Sequence, residues 1–160
     1  MKVKDLTLAS LLVAFLVAQN YMLYAFPITL TYLVFYLIAK KVKSKQIVFA
    51  SVIAFVIIKN IVYVALPTTI IFDIIGLTLV LLSCLVKNKI MSYILIIISI
   101  IVHILLLDFS TAILTGNIKV AMLINITGGF VAYIYAPLSI IFIVIADGID
   151  VLTKYDEEEK

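Results

Sequence analysis

The sequence of 160 residues has no arginine, no tryptophan and one cysteine, and only 13% of its residues are charged. One thiol cannot form a disulfide within the chain and cannot supply the several ligands that a metal site needs. The charged fraction is about half of the roughly 25% found in soluble proteins, and the apolar fraction of 66% exceeds their roughly 45–50%. This composition excludes an ordinary soluble domain and indicates a membrane protein, in which lipid surrounds the apolar side chains.

Sequence motifs of the common enzymes are also missing. The chain has one histidine, His103, and lacks His-Glu-x-x-His, a Gly-rich phosphate loop and Gly-x-Ser-x-Gly. Without a phosphate loop we do not expect ATP hydrolysis, so energy for any transport would come from a partner chain or an ion gradient. We expect no enzymatic activity and no cofactor. A lone histidine in an apolar helix is more typical of a hydrogen-bonded packing residue than of a catalyst, and we expect Cys84 to be a small apolar packing residue. The small net charge of +3 does not indicate a nucleic-acid partner.

Six apolar segments are predicted to cross a bilayer as helices, which takes about 20 residues each. They cover residues 6–24, 28–39, 47–66, 68–86, 90–107 and 120–146. The second segment is the shortest. In the sixth segment, Gly128, Gly129 and Pro137 predict a kink. None alternates apolar with polar residues as barrel strands do, and backbone hydrogen bonding in lipid favours helices. The predicted fold class is all-α: one six-helix transmembrane domain over 1–155, with an acidic disordered tail at 156–160.

The lysines predict the orientation of these helices. With six spans, ten of the twelve lysines fall on one side of the membrane: Lys2, Lys4, Lys40, Lys41, Lys43, Lys45, Lys87, Lys89, Lys154 and Lys160. Because lysine is enriched in cytoplasmic loops, both termini are predicted to be cytoplasmic. Only Lys59 and Lys119 lie elsewhere. The expected location is the cell membrane, with several crossings.

Polar residues inside the apolar segments gather near the predicted outer face. The candidate substrate-binding residues are Asn20, Tyr24, Lys59, Asn60, Tyr63, Asp73, His103, Asp108, Asn125 and Thr127. Burying such groups in a membrane is costly, and ligand sites form between the helices of bundles, so this cluster predicts an outward-facing pocket. Lys59 and Asp73 are predicted neighbours, since each lies six or seven residues from the short turn around Pro67. The alternative is that they form only a structural salt bridge.

The chain resembles the substrate-binding S components of energy-coupling factor (ECF) vitamin transporters. The resemblance rests on length, six spans, the opening Leu6-Thr7-Leu8-Ala9-Ser10-Leu11-Leu12-Val13-Ala14 and the pair Ala14-x-x-x-Ala18. It implies that Ala14 and Ala18 contact a transmembrane coupling subunit, which works with ATPase subunits. It also implies an outer pocket for a small water-soluble nutrient, covered by the loop at about 20–27. Some members stack vitamin rings on tryptophan; here Tyr63, Tyr133 or Tyr135 would take that place.

Two other functions stay open at the level of the sequence. A structural scaffold subunit of the MreD-like cell-shape type has a similar size and span number. It predicts that the polar groups satisfy one another and that no ligand binds. A small lipid-acting enzyme would use Asp147 and Asp150, which lie three residues apart on one helical face. We expect these two carboxylates to lack a partner, which argues against the enzyme.

Overall fold

The computed structural model describes residues 3–22, 30–62, 67–121, 123 and 138–149, and within them the chain is helical and has no strand. The helices are α1 (Val3–Met22), α2 (Thr31–Lys41), α3 (Lys45–Val62), α4 (Pro67–Cys84) and α5 (Lys89–Thr115). They are followed by α6, whose described helical residues are 118–121 and 123, and α7 (Leu138–Ile149). The predicted all-α class is confirmed. The acidic tail predicted at 156–160 lies outside the described residues.

Two of these helices, α4 and α5, are long and apolar enough to cross a membrane, and α7 is apolar but shorter. The helix α5 continues eight residues beyond the predicted end of the fifth segment. It begins where the Asn88 side chain accepts a hydrogen bond from the Met91 N–H, and it ends before Gly116, whose φ of 64° is left-handed. Glycine adopts that conformation without strain and commonly ends helices. These two caps, and not the apolar pattern, set the length of α5.

The surface of α5 is apolar and its buried face is largely polar. Large apolar side chains are exposed at every third or fourth residue: Ile90, Ile94, Ile98, Ile101, Leu105, Phe109 and Ile113. Its buried residues include Ser92, Ser99, His103, Asp108 and Ser110. In a soluble helix the apolar stripe faces the core. On α5 the exposed stripe is apolar, whereas five of the eight buried residues are polar and the other three are isoleucines of the core.

Helix packing brings five helices around one core. The helix α1 packs on α2 and α3, whereas α4 packs on α2, α3 and α5. The core contains Leu16, Phe35, Phe55, Leu77 and Ile96, and the rings of Phe35 and Phe55 meet edge to face at 5.6 Å. Both α2 and α3 therefore separate α1 from α4.

The two ends of the bundle differ in charge. We call the end with the start of α1, the loop 42–44 and the loop 85–88 the lysine-rich end, because six of its residues in and around these loops are lysines: Lys40, Lys41, Lys43, Lys45, Lys87 and Lys89. There the Asp5 carboxylate accepts a hydrogen bond of 3.2 Å from the Ser44 N–H. This bond aligns the starts of α1 and α3, which run in the same direction away from that end.

Candidate functional site

Asp73 lies at the centre of a buried polar network. Its side chain is fully buried, and its Oδ2 accepts hydrogen bonds from Lys59 Nζ at 2.8 Å and Asn60 Nδ2 at 3.2 Å. Its Oδ1 lies 2.8 Å from His103 Nε2. The predicted contact between Lys59 and Asp73 is confirmed. Helices α3, α4 and α5 are thereby joined through one carboxylate.

Tyr32 of α2 extends the network to a fourth helix. Its hydroxyl lies 3.1 Å from His103 Nδ1, and the two rings meet edge to face. An ionised carboxylate only accepts, so His103 Nε2 carries the hydrogen toward Asp73. In the neutral ring Nδ1 then accepts from the Tyr32 hydroxyl. Each ring nitrogen thus has one partner, which fixes the tautomer.

Gly76 makes room for the His103 ring. It lies on α4 one turn from Asp73, and a Cβ added there would overlap the His103 ring carbons. The absence of a side chain lets the imidazole lie directly against the α4 backbone and reach Asp73. Gly76 was not among the residues predicted from the sequence, although a lone glycine inside an apolar helix often marks a close packing contact.

The charges of the network balance. The Asp73 carboxylate faces the Lys59 ammonium at 2.8 Å, so these two opposite charges offset each other. Buried charges need such pairing, because removing an ion from water is expensive. Lys59 is less buried than its partner, with 26% of its side chain exposed. Among the described residues only Asp73 accepts a hydrogen bond from Lys59 Nζ, so two of its three N–H bonds have no acceptor within that part of the chain.

The structure describes only some of the other residues that were predicted to bind substrate. Asp108 is buried on α5, five residues beyond His103. Asn20 lies in α1, but its side chain is outside the described part of the structure. The residues Tyr24, Tyr63, Asn125, Thr127, Tyr133 and Tyr135 and most of the loop 20–27 lie outside the described residues as well. Their roles stay predictions.

An apolar groove runs between α1 and α3. Its volume is about 720 Å³, and its walls are rich in small residues: Ala9, Ser10, Ala14 and Ala18 on α1, and Ala50, Ser51 and Ala54 on α3. Ala14 and Ala18 are both exposed. Small residues at these positions leave the two backbones open to close approach by another helix.

A second polar cluster lies at the lysine-rich end, around Asp147 of α7. Its carboxylate accepts from the hydroxyls of Tyr36 at 2.5 Å and Tyr93 at 2.7 Å, and Lys89 Nζ lies 3.3 Å away. The expectation that Asp147 lacks a partner is wrong, because its partners come from α2 and α5, far away in the sequence. Asp150 lies outside the described residues.

Asp147 follows the sixth predicted apolar segment, so it lies outside the predicted spans. Partial burial alone would raise the pKa of Asp147. The hydrogen bonds from Tyr36 and Tyr93 and the ammonium of Lys89 outweigh this effect and hold that pKa below its usual value. The carboxylate is thereby kept charged and ties α7 to α2 and α5.

The described residues contain no group of three or more His, Cys, Asp or Glu side chains that could hold a metal ion. Cys84 is buried in the apolar core. In comparisons with known proteins, no family model, no curated protein and no solved structure matches this chain. The resemblance to ECF S components therefore stays a prediction from the sequence.

Proposed function

We propose that this chain is a membrane protein that spans the bilayer six times, with α6 and α7 both in the sixth predicted span, and that it binds a small water-soluble nutrient at the outer face of the cell membrane. In this proposal it is the substrate-binding subunit of an uptake system, and partner subunits supply the ATP hydrolysis. The observation that carries the proposal is the buried network of Tyr32, Lys59, Asn60, Asp73 and His103, away from the lysine-rich end.

The exposed apolar stripe of α5 supports the membrane location. Its exposed stripe is apolar from Ile90 to Ile113, and its buried face carries Ser92, Ser99 and His103. Water would be a poor solvent for that stripe, whereas lipid chains are a good one. The lysine-rich end then faces the cytoplasm, and the network lies toward the outside.

Lys59 supports a ligand site and not only a structural network. A purely structural ammonium ion would be expected to use most of its donors within the protein. Lys59 has two N–H bonds without an acceptor among the described residues, and a quarter of its side chain is exposed. An incoming polar group could accept from it while the Asp73 contact is kept.

The groove between α1 and α3 supports a membrane partner. Ala14 and Ala18, assigned to the coupling subunit by the family resemblance, are exposed on its wall. Alanines Ala50 and Ala54 of α3 widen the same small-residue surface. A helix of a coupling subunit fits such a surface, because close packing drives association of helices in lipid.

The test is to purify the protein from cells grown in rich medium and to identify co-purified small molecules by mass spectrometry. We expect one water-soluble compound in the wild type and a thermal shift with it. Lys59→Met should lose both, and Lys119→Met, which removes an exposed lysine outside the network, should keep both. A wild type that is repeatedly empty and shows no thermal shift across a panel of vitamins would reject the proposal.

One observation favours the scaffold alternative. The network satisfies Asp73 with donors from this chain alone, as a structural role without a ligand requires. For a scaffold of the MreD-like type, Lys59→Met would lower the melting temperature of the empty protein and change no binding. The same purification therefore separates the two functions.

A further inference from the structure

The lysine-rich end carries much more positive than negative charge. Seven described lysines lie there, since Lys4 at the start of α1 joins the six in and around the two loops, and all seven are exposed. The described carboxylates at this end are those of Asp5 and Asp147. Asp5 accepts from the Ser44 N–H, and Asp147 accepts from two tyrosines beside Lys89. The described part of this end therefore has a large excess of ammonium groups over carboxylates.

Exposed apolar side chains begin directly beside these lysines. Ile90 follows Lys89 on α5 and is 72% exposed. Leu82 is exposed in the last turn of α4, and Lys87 lies in the loop after it. A soluble anion or an acidic protein segment would use the charge and leave the apolar surface in water. A phospholipid has both an anionic headgroup and apolar chains, so it matches this boundary.

Two of the lysines border one cluster of side chains, although they are far apart in the sequence. Lys40, in the last turn of α2, has its Nζ 5.4 Å from the centre of the Tyr36 ring. The Tyr36 hydroxyl donates to Asp147, and Lys89 Nζ lies 3.3 Å from the same carboxylate. The Lys89 side chain is still 56% exposed. Since an ammonium ion has three N–H donors, both lysines can also bind an oxygen from outside the chain.

We infer that the lysine-rich end binds anionic phospholipids, with the lipid phosphate at Lys40 and Lys89 and the acyl chains on the adjoining exposed apolar surface. Each lysine near the headgroups raises the affinity for an anionic membrane by about fivefold. The phosphate reduces the repulsion among the lysines where Asp147 attaches α7 to α2 and α5, so it stabilises the folded protein. The inference needs the membrane location of the proposed function but not its nutrient.

The first experiment measures lipid selectivity. The protein is reconstituted in vesicles of phosphatidylcholine and phosphatidylglycerol with the same acyl chains and extracted in a mild detergent, and the retained lipids are quantified by mass spectrometry. We expect phosphatidylglycerol to be enriched on the wild type relative to the vesicles. The enrichment should fall as salt is raised, because salt screens charges at a surface. Retention of the two lipids in the proportions of the vesicles would overturn the inference.

Lys40→Gln tests the assigned position, because Lys89 also holds Asp147 and its replacement would loosen α7. Loss of the Lys40 ammonium should lower the enrichment about fivefold. Lys119→Gln is the matched control, since it removes an exposed lysine of α6 outside the lysine-rich end, and it should keep the enrichment of the wild type. An unchanged enrichment in Lys40→Gln, or an equal loss in both variants, contradicts a site at Lys40.

The second experiment compares melting temperatures in nanodiscs of each lipid. Phosphatidylglycerol should raise the melting temperature of the wild type, and it should raise that of Lys40→Gln less. If inorganic phosphate added to phosphatidylcholine nanodiscs has the same effect, the lysines bind free phosphate and the lipid assignment is wrong.

The acidic residues of the tail are the competing occupant within the chain. A variant with amides in their place removes four negative charges, those of Asp156, Glu157, Glu158 and Glu159. We expect the same lipid selectivity as in the wild type. Selectivity that appears only in this variant would mean that the tail occupies the lysines of the intact chain, and the inference would be wrong.

The outcomes separate this inference from the proposed function. A protein that retains phosphatidylglycerol selectively but no nutrient rejects nutrient binding and keeps the inference. A protein loaded with a nutrient but without lipid selectivity rejects the inference alone. Release of the wild type from membranes by carbonate extraction would reject both.

Discussion

Asp73 is the residue on which the polar network depends. It is fully buried and accepts from Lys59, Asn60 and His103, which come from two other helices. Removing one partner of a buried ion pair costs about 3–5 kcal/mol, because the other charge stays buried and unpaired. A network of this kind fixes how its helices are rotated relative to one another, whether or not a ligand also binds there.

The close contact at Gly76 gives the first prediction. Gly76→Ala places a Cβ on the His103 ring, and overpacking of this kind costs about 1–3 kcal/mol. We expect a lower melting temperature and a weaker hydrogen bond between His103 and Asp73. Thermal unfolding in detergent measures the first effect, and the imidazole nitrogen resonances in NMR report the second.

Gly148 is the matched control for this substitution. A Cβ there meets no atom within 4 Å, and alanine is a better helix former than glycine by up to about 1 kcal/mol. Gly148→Ala should therefore be neutral or stabilising. Equal destabilisation by both alanines would show that the Gly76 contact does not matter.

At the scale of the element, α5 is the helix whose sequence and surface differ most from those of a soluble protein. Ile101 is exposed near the middle of α5, and Ile90 is exposed at its start beside Lys89. The same substitution at the two positions therefore compares the centre of a proposed membrane span with its edge.

The second prediction follows from this pair. Ile101→Lys should reduce membrane insertion, because a lysine at the centre of a span costs about 2.5–3.5 kcal/mol on insertion scales. Ile90→Lys should have a small effect, since its ammonium reaches the interface. Carbonate extraction of membranes measures both. Full insertion of the Ile101→Lys protein would show that this face of α5 does not meet lipid.

The third prediction concerns the attachment of α7. The pKa of Asp147 is lowered in the folded protein, so its contribution to stability is present above the pKa of the unfolded chain. It is lost as the pH falls through the lower folded value. Melting temperatures measured from neutral pH down to roughly pH 3 should therefore show a decrease at the acidic end that Asp147→Asn removes in part.

Tyr93→Phe provides the control for Asp147. It removes one of the two phenol hydrogen bonds but keeps the carboxylate, so the acidic decrease should remain and move to higher pH. If the decrease is the same in the wild type and in Asp147→Asn, other carboxylates cause it and Asp147 does not hold α7 through its charge.

At the scale of the whole molecule, the orientation decides which end can meet a nutrient. The single cysteine, Cys84, is buried. The wild-type protein should therefore give little signal with thiol-labelling reagents. Lys43 in the loop 42–44 and Lys119 in α6 are both exposed. In the proposed orientation they lie on opposite sides of the membrane.

The fourth prediction uses these two positions. A membrane-impermeant maleimide should label Lys119→Cys in intact cells, and it should label Lys43→Cys only after the membrane is permeabilised. The positive-inside rule is the physical basis, since lysine-rich loops stay in the cytoplasm. The reverse labelling pattern would place the polar network on the cytoplasmic side and would remove the basis for a nutrient site.

The sequence by itself determined the helical class and one contact of the site. Apolar segments of this length and composition predict helices, and a short turn between two of them makes Lys59 and Asp73 neighbours. Both follow from local properties of the chain, namely residue type, periodicity and the number of residues to a turn.

Only the tertiary structure decided the other contacts. Tyr32 and His103 are 71 residues apart, and Tyr36 and Asp147 are 111 residues apart. The space at Gly76 for the His103 ring also depends on which helices are neighbours. Periodicity gives the faces of each helix but not the order or rotation of the helices around the core, which result from packing summed over the whole molecule.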